Sequence, residues 1–221
     1  MKQFRVQAVL FDLDGTLIDS VPDLAAGVNA MLAYYALPPL GEEEVRMMVG
    51  NGATVLVTRA LQKCGAGERV SLEEALARFM EAYRERMCDR TRCFDGVAET
   101  LQSLKERGKR LGIVTNKPYR FVPPILEHLG IESCFGAVLG GDSLPQKKPD
   151  PAPLVEGARM LGTEPQKALM VGDSSNDIRA AKAAGMPCVG VCYGYNYGES
   201  IEAEAPDATI DRLDKLLEIV L

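Results

Sequence analysis

The spacing of apolar positions changes character along the chain. Val6 to Phe11 (VQAVLF) is an almost unbroken apolar and β-branched run, the pattern of a strand covered on both faces, and the Asp-Gly pair soon after it marks a turn. From Val21, apolar residues recur at Leu24, Ala25, Val28, Met31, Leu32 and Tyr35. That is helical spacing, with Ser20 available as N-cap and Pro22 in the first turn. Helical periodicity continues to about Asp89 through EEEVRMMV, ATVLVTRALQKC and SLEEALARFMEAYRERM, separated by glycine-containing breaks. No convincing strand occurs in that stretch.

The second half alternates. Short strand-like runs LGIVT, GAVLG, ALMVG and CVGVC are interleaved with helical stretches GVAETLQSLKER, RFVPPILEHLG, PLVEGARMLG and NDIRAAKAAG. Alternation of this kind predicts an α/β fold, a doubly wound parallel sheet flanked by helices. The simplest organisation gives residues 1–19 and 92–221 to the α/β core and residues 20–91 to an inserted helical domain, with linkers near Asp19 and Arg92 to Asp95.

With 221 residues, the chain is long enough for one core plus an insertion. A formal charge of −6 argues against a nucleic-acid surface, which favours clustered Lys and Arg, so small ligands are expected. The six cysteines are scattered without a CxxC pair, which fits reduced thiols and a cytoplasmic protein. The N-terminus lacks the apolar region of a signal peptide, and no run of about 18 apolar residues predicts a membrane span.

In an open parallel sheet, ligands bind outside the carboxyl ends of the strands. Strand one delivers Asp12 and Asp14 there, LGIVTNK delivers Thr115, Asn116 and Lys117, and ALMVGDSSND delivers Asp173, Ser174 and Asp177. Four carboxylates at one edge repel one another and call for a cation. Oxygen donors with room for water suit Mg²⁺, which commonly binds through one or two carboxylates plus substrate phosphate oxygens. Lys147 and Lys148, in the Pro-rich segment before a helix, bring an ammonium toward the same edge. Lys147 also reads as a solvated lysine, Asp177 as a helix-start capping residue, and His128 as a residue closing a helix.

Four motifs in order, DLDGT (Asp12 to Thr16), VTNK (Val114 to Lys117), KKPDP (Lys147 to Pro151) and GDSSND (Gly172 to Asp177), resemble the phosphatase branch of the haloacid dehalogenase-like superfamily. The resemblance implies a Rossmann-like core with a mobile helical cap. It makes Asp12 the nucleophile that forms an aspartyl-phosphate, and Asp14 the acid and base, with a pKa raised by neighbouring carboxylates. It assigns Mg²⁺ to Asp12, Asp173 and the backbone carbonyl of Asp14, with Asp177 as a ligand through water or a support behind them, and phosphate to Thr115, Asn116 and Lys148. The Gly50, Asn51, Gly52 turn becomes the substrate-reading cap loop. With GYNYGESI (Gly194 to Ile201), that loop looks most like the phosphoglycolate phosphatase group. The implied partner is a small phosphorylated metabolite, 2-phosphoglycolate first. The alternatives are an amino-sugar 6-phosphate phosphatase, a pyrophosphatase, a phosphomutase of the same superfamily, or a non-catalytic phospholigand-binding protein.

Overall fold

The computed structural model describes residues 2–221. A strand β1 (Ala8–Phe11), buried throughout, runs into a turn folded around the Leu13 carbonyl, which accepts from the amides of Thr16, Leu17 and Ile18. A two-residue strand β2 (Ile18–Asp19) follows. Four helices come next: α1 (Val21–Tyr34), α2 (Glu42–Arg46), α3 (Ala53–Lys63) and α4 (Leu72–Arg86). The chain returns through β3 (Arg92–Cys93) and then alternates: α5 (Val97–Glu106), β4 (Arg110–Val114), α6 (Val122–His128), β5 (Ala137–Leu139), α7 (Ala152–Met160), β6 (Ala168–Gly172), α8 (Ser175–Ala183), β7 (Cys188–Val191), β8 (Ala208–Ile210) and α9 (Leu216–Ile219).

Six strands form one parallel sheet in the order β5-β4-β1-β6-β7-β8. β1, β4, β6 and β7 are covered on both faces, which is why they read as continuous apolar runs. No helix among the described residues is long and apolar enough to cross a membrane.

At the expected linker positions near Asp19 and Arg92, β2 and β3 pair antiparallel, Ile18 with Cys93 and Asp19 with Arg92. Two features depart from the sequence reading. β8 is absent from the sequence reading, because three edge residues, two of them partly exposed, show no periodicity. Ser20 precedes α1 but does not cap it. Its backbone is helical (φ −106°, ψ −2°), and its hydroxyl donates instead to Asp14 Oδ1 at 2.6 Å.

The returning strand is fixed to α1 by Asp23. This buried carboxylate accepts from the Thr91 amide (2.8 Å), the Thr91 hydroxyl (2.7 Å) and the Arg90 amide (3.0 Å). α1 also packs closely on α4 at Gly27, where an added Cβ would lie 3.2 Å from Phe79 and Tyr83. Those two aromatics are thereby set facing the carboxyl edge of the sheet.

Candidate active site

β1 pairs with β4 on one side and β6 on the other, Phe11 lying opposite Ile113 and Val171. The residues that follow these strands therefore meet: Asp12 after β1, Thr115 after β4 and Asp173 after β6. One carboxylate oxygen each from Asp12, Asp173 and Asp177 lies within 4.8 Å of the others, and all three residues are buried. The fourth carboxylate stands apart. Asp14 turns to the opposite side, where Lys117 Nζ reaches its two oxygens at 3.0 and 3.1 Å. The neighbours of its side chain are thus a cation and the Ser20 hydroxyl, where the sequence reading placed carboxylates.

Lys148 is buried among the acids. Its ammonium donates to the Val114 carbonyl and to Asp177 Oδ1, both at 2.6 Å, and lies 3.0 Å from Asp12 Oδ1. The last contact is at ion-pair distance without hydrogen-bond alignment, so Asp12 Oδ1 is a buried oxygen with no hydrogen-bond partner among the described residues. Asp177 is the better held. Its other oxygen accepts from the Ser174 amide (3.0 Å) and hydroxyl (2.7 Å), a capping box that opens α8. Lys147, by contrast, is exposed and donates to the Asn51 carbonyl at 3.2 Å.

Asp173 is oriented by Thr16 Oγ1 (2.8 Å) and the Tyr195 amide (2.8 Å). Gly15 is required beside it. Its φ is +87°, and a Cβ there would overlap the Asp173 carboxylate. Burial, helped by the Asp12 and Asp177 charges, pushes the Asp173 carboxyl up from an ordinary 3.8 to about 8. Burial also pushes Asp12 up to about 6, with Lys148 opposing and Asp177 assisting. Lys148 itself is raised: burial acts downward, but the Asp12 and Asp177 carboxylates outweigh it.

Asp12, Asp14, Asp173 and Asp177 oppose two buried ammoniums, Lys117 and Lys148, so a divalent cation would bring the cluster to neutrality. An all-oxygen donor set and an unpartnered buried oxygen on Asp12 fit a hard cation of this kind.

Thr115 and Asn116 reach the same edge. Thr115 Oγ1 accepts from the Lys117 amide at 3.2 Å, leaving its hydroxyl proton to donate elsewhere. Asn116 is differently employed from the expectation: its amide nitrogen donates to the Gly50 and Lys148 carbonyls, both at 3.0 Å. Its side chain ties the loop after α2 to the sheet edge, and only its backbone amide is left as a donor toward a phosphate.

That loop, Gly50 to Gly52, is also held by Asn176, whose amide nitrogen donates to the Gly50 carbonyl (3.3 Å) and to Tyr197 Oη (3.0 Å). Gly50 and Gly52 line the cavity over Asp12 and Asp14; Asn51 is not among its lining residues. Gly50 has φ +122°, and a Cβ on it would sit 2.6 Å from Tyr197 Oη. Gly50→Ala is therefore expected to cost about 1–3 kcal/mol of stability and to lower kcat/KM at least about tenfold. Melting curves and steady-state kinetics check this; wild-type values in both would contradict it.

The comparisons with known proteins agree with this geometry. Residues 9–191 match the haloacid dehalogenase-like hydrolase family. The chain belongs to that family. It is 52% identical over 213 residues to phosphoglycolate phosphatase 1 of Pseudomonas aeruginosa, covering 95% of this chain and 78% of that protein. It is 47% identical to phosphoglycolate phosphatase of Haemophilus influenzae, covering 99% of each. A crystal structure described as a predicted phosphoglycolate phosphatase from Haemophilus somnus superposes with a TM-score of 0.93 at 42% identity, again over 99% of each chain.

Within this haloacid dehalogenase-like hydrolase, the sequence alone assigns no individual role to Thr16, Tyr83, Lys117, Asn176 or Tyr193, and reads Tyr195 and Tyr197 only as part of the GYNYGESI stretch. Thr16, Lys117 and Asn176 stand inside the recognised motifs. The contacts of Tyr193 and Tyr195 are not visible in sequence: their hydroxyls donate to the Thr16 carbonyl (2.8 Å) and Asp19 Oδ1 (2.7 Å), more than 170 residues away.

Proposed function

We propose that this hydrolase cleaves a small phosphomonoester, 2-phosphoglycolate, to glycolate and phosphate through an aspartyl-phosphate on Asp12. The observation that carries the mechanism is the unpartnered Asp12 oxygen beside Lys148, with Asp14 held separately by Lys117. An Asp12 oxygen attacks phosphorus and the bond to the substrate's ester oxygen breaks. Asp14 gives that leaving oxygen its proton. Water then attacks phosphorus and returns a proton to Asp14, the bond to Asp12 breaks, and phosphate leaves. Thr115 Oγ1, the Asn116 amide and Lys148 position the phosphoryl oxygens. Asp12, Asp173, Asp177 and the Asp14 backbone carbonyl would hold Mg²⁺, which when bound neutralises developing phosphoryl charge.

Helices α1 to α4, residues 20–91, act in this reading as a cap, and the Gly50, Asn51, Gly52 loop reads the substrate. The cavity beneath it is about 40 Å³. That is about three times what one enclosed water needs. The names of the relatives support the same substrate. Six unpaired cysteines support the cytoplasm as the compartment.

Rapid acid quench of enzyme mixed with 2-phosphoglycolate, followed by peptide mass analysis, tests the mechanism. A phosphorylated Asp12 peptide is expected. Burst turnover without any phosphorylated Asp12 would remove it as nucleophile.

The pKa shifts supply a second expectation. Folding raises the Asp12 and Asp173 carboxyls from 3.8 to about 6 and about 8. Their contribution to metal-free stability is thus complete below about pH 4 and is lost as pH rises through those two values. Metal requires the carboxylates, so Mg²⁺ binding at pH 7 should release protons, and apparent affinity should climb toward pH 8. Calorimetry in two buffers of different ionisation heat measures the release; identical heats in both would contradict it.

A further inference from the structure

Resting on 2-phosphoglycolate as substrate, we infer that Tyr83 Oη and Lys117 Nζ together bind the substrate's carboxylate, so the site selects phosphate esters of 2-hydroxy acids. Both residues line the cavity over Asp12 and Asp14. The wall around them is otherwise largely apolar, including Leu24, Val49, Leu56 and Phe121. Lys148, the other buried ammonium, is already engaged with Asp177, Asp12 and the Val114 carbonyl.

Tyr83 is 1% exposed, yet among the described residues its hydroxyl makes no aligned hydrogen bond, and with the Lys117 ammonium beside its oxygen the hydroxyl proton has no acceptor. Buried hydroxyls are seldom left so, and an unmet one in a cavity points to a ligand. The ring cannot easily swing the hydroxyl away: it stacks on Phe79 (centroids 5.7 Å apart) and meets Phe121 edge-on (5.1 Å). Burial pushes the phenol up to about 12, so it remains a donor at neutral pH.

Lys117 lies with Nζ 4.8 Å from the Tyr83 ring centroid. Among the described residues its ammonium donates only to the two Asp14 oxygens. An ammonium carries three protons, so capacity for a further acceptor remains.

Substrate chemistry connects the two donors to the reacting bond. In 2-phosphoglycolate a single carbon separates the ester oxygen from the carboxyl carbon. Asp14 is the residue proposed to protonate that ester oxygen, and Lys117 touches Asp14. A carboxylate one carbon away falls within reach of the same ammonium, and its second oxygen can accept from Tyr83. An uncharged sugar carbon at that place would leave the Tyr83 hydroxyl proton and the spare Lys117 proton without an acceptor and lose the discrimination such a site supplies.

The test compares kcat/KM of the Mg²⁺-loaded wild type and Tyr83→Phe on 2-phosphoglycolate and on 2-hydroxyethyl phosphate, which replaces the carboxylate by a hydroxymethyl group of similar size. Wild type is expected to prefer 2-phosphoglycolate. Tyr83→Phe should lose about tenfold more on 2-phosphoglycolate than on 2-hydroxyethyl phosphate, chiefly through KM, as expected for one hydrogen bond to a charged group. Calorimetry supplies a reading independent of turnover. Tyr83→Phe added to Asp12→Asn should weaken 2-phosphoglycolate binding by a similar factor. Equal losses on both esters, or unaltered binding, would give Tyr83 a packing role only and overturn the carboxylate pocket while leaving the phosphatase reading intact. A wild type that hydrolyses other phosphomonoesters but not 2-phosphoglycolate would overturn the substrate and the pocket together.

Discussion

Asp12→Asn is expected to lower turnover by at least about 10⁴-fold while leaving the protein folded, the scale seen when a nucleophile is removed from an intact site. The amide keeps the shape of the carboxylate and lacks its nucleophilic oxygen. Stability should not fall, because the carboxylate it replaces is under strain of its own: buried, unaligned with Lys148 and close to Asp177. At pH 7.5, above a folded pKa of about 6, the charged form is the one that folding disfavours. Removing it should hold or raise the metal-free melting temperature. Lys148 would keep Asp177 and the Val114 carbonyl, both at 2.6 Å. Turnover within about a hundredfold of wild type would exclude Asp12 as nucleophile.

Lys148→Met should be the most damaging single change to stability. The ammonium is buried with Asp177 at 2.6 Å and Asp12 at 3.0 Å, and removing it leaves two carboxylates in a dry site without their cation. Deleting one partner of a buried pair costs about 3–5 kcal/mol, because the remaining charge still carries its desolvation penalty. The loss should be larger at pH 8 than at pH 5, where Asp12 can take up a proton instead. Turnover should disappear as well. Lys147→Met is the internal control. That side chain is exposed and its one hydrogen bond among the described residues is to the Asn51 carbonyl, so its effect should stay within about 0.5 kcal/mol. Denaturant unfolding of both variants decides the matter, and equal midpoints would contradict the account of Lys148.

The fold was legible in the sequence where strands are covered on both faces. VLF, GIV, LMV and CVGV could be read because burial on two sides demands continuous apolar residues. β8 and the β2 and β3 pair were not legible, since two or three residues hold no period and their existence depends on what lies alongside. At the site, Asp12, Asp173, Asp177 and Lys148 could be placed because each follows a strand or precedes a helix. What the sequence could not reveal was direction. Asp14 stands two residues from Asp12 yet points to Lys117, and Ser20 serves Asp14 where a helix cap was expected. Tyr83 reads as one more aromatic on the packed face of α4, and only the assembled fold leaves its hydroxyl proton without an acceptor in the cavity.

Metal-dependent hydrolysis with 2-phosphoglycolate as the preferred substrate is the reading that the site and the relatives support together. Phosphate release from 2-phosphoglycolate, 2-hydroxyethyl phosphate, an amino-sugar 6-phosphate and pyrophosphate, each with Mg²⁺ and with chelator, tests it most directly. The account predicts the highest kcat/KM on 2-phosphoglycolate and loss of turnover on every substrate when the metal is removed. A preference for the amino-sugar phosphate, or turnover that survives chelation, would contradict it.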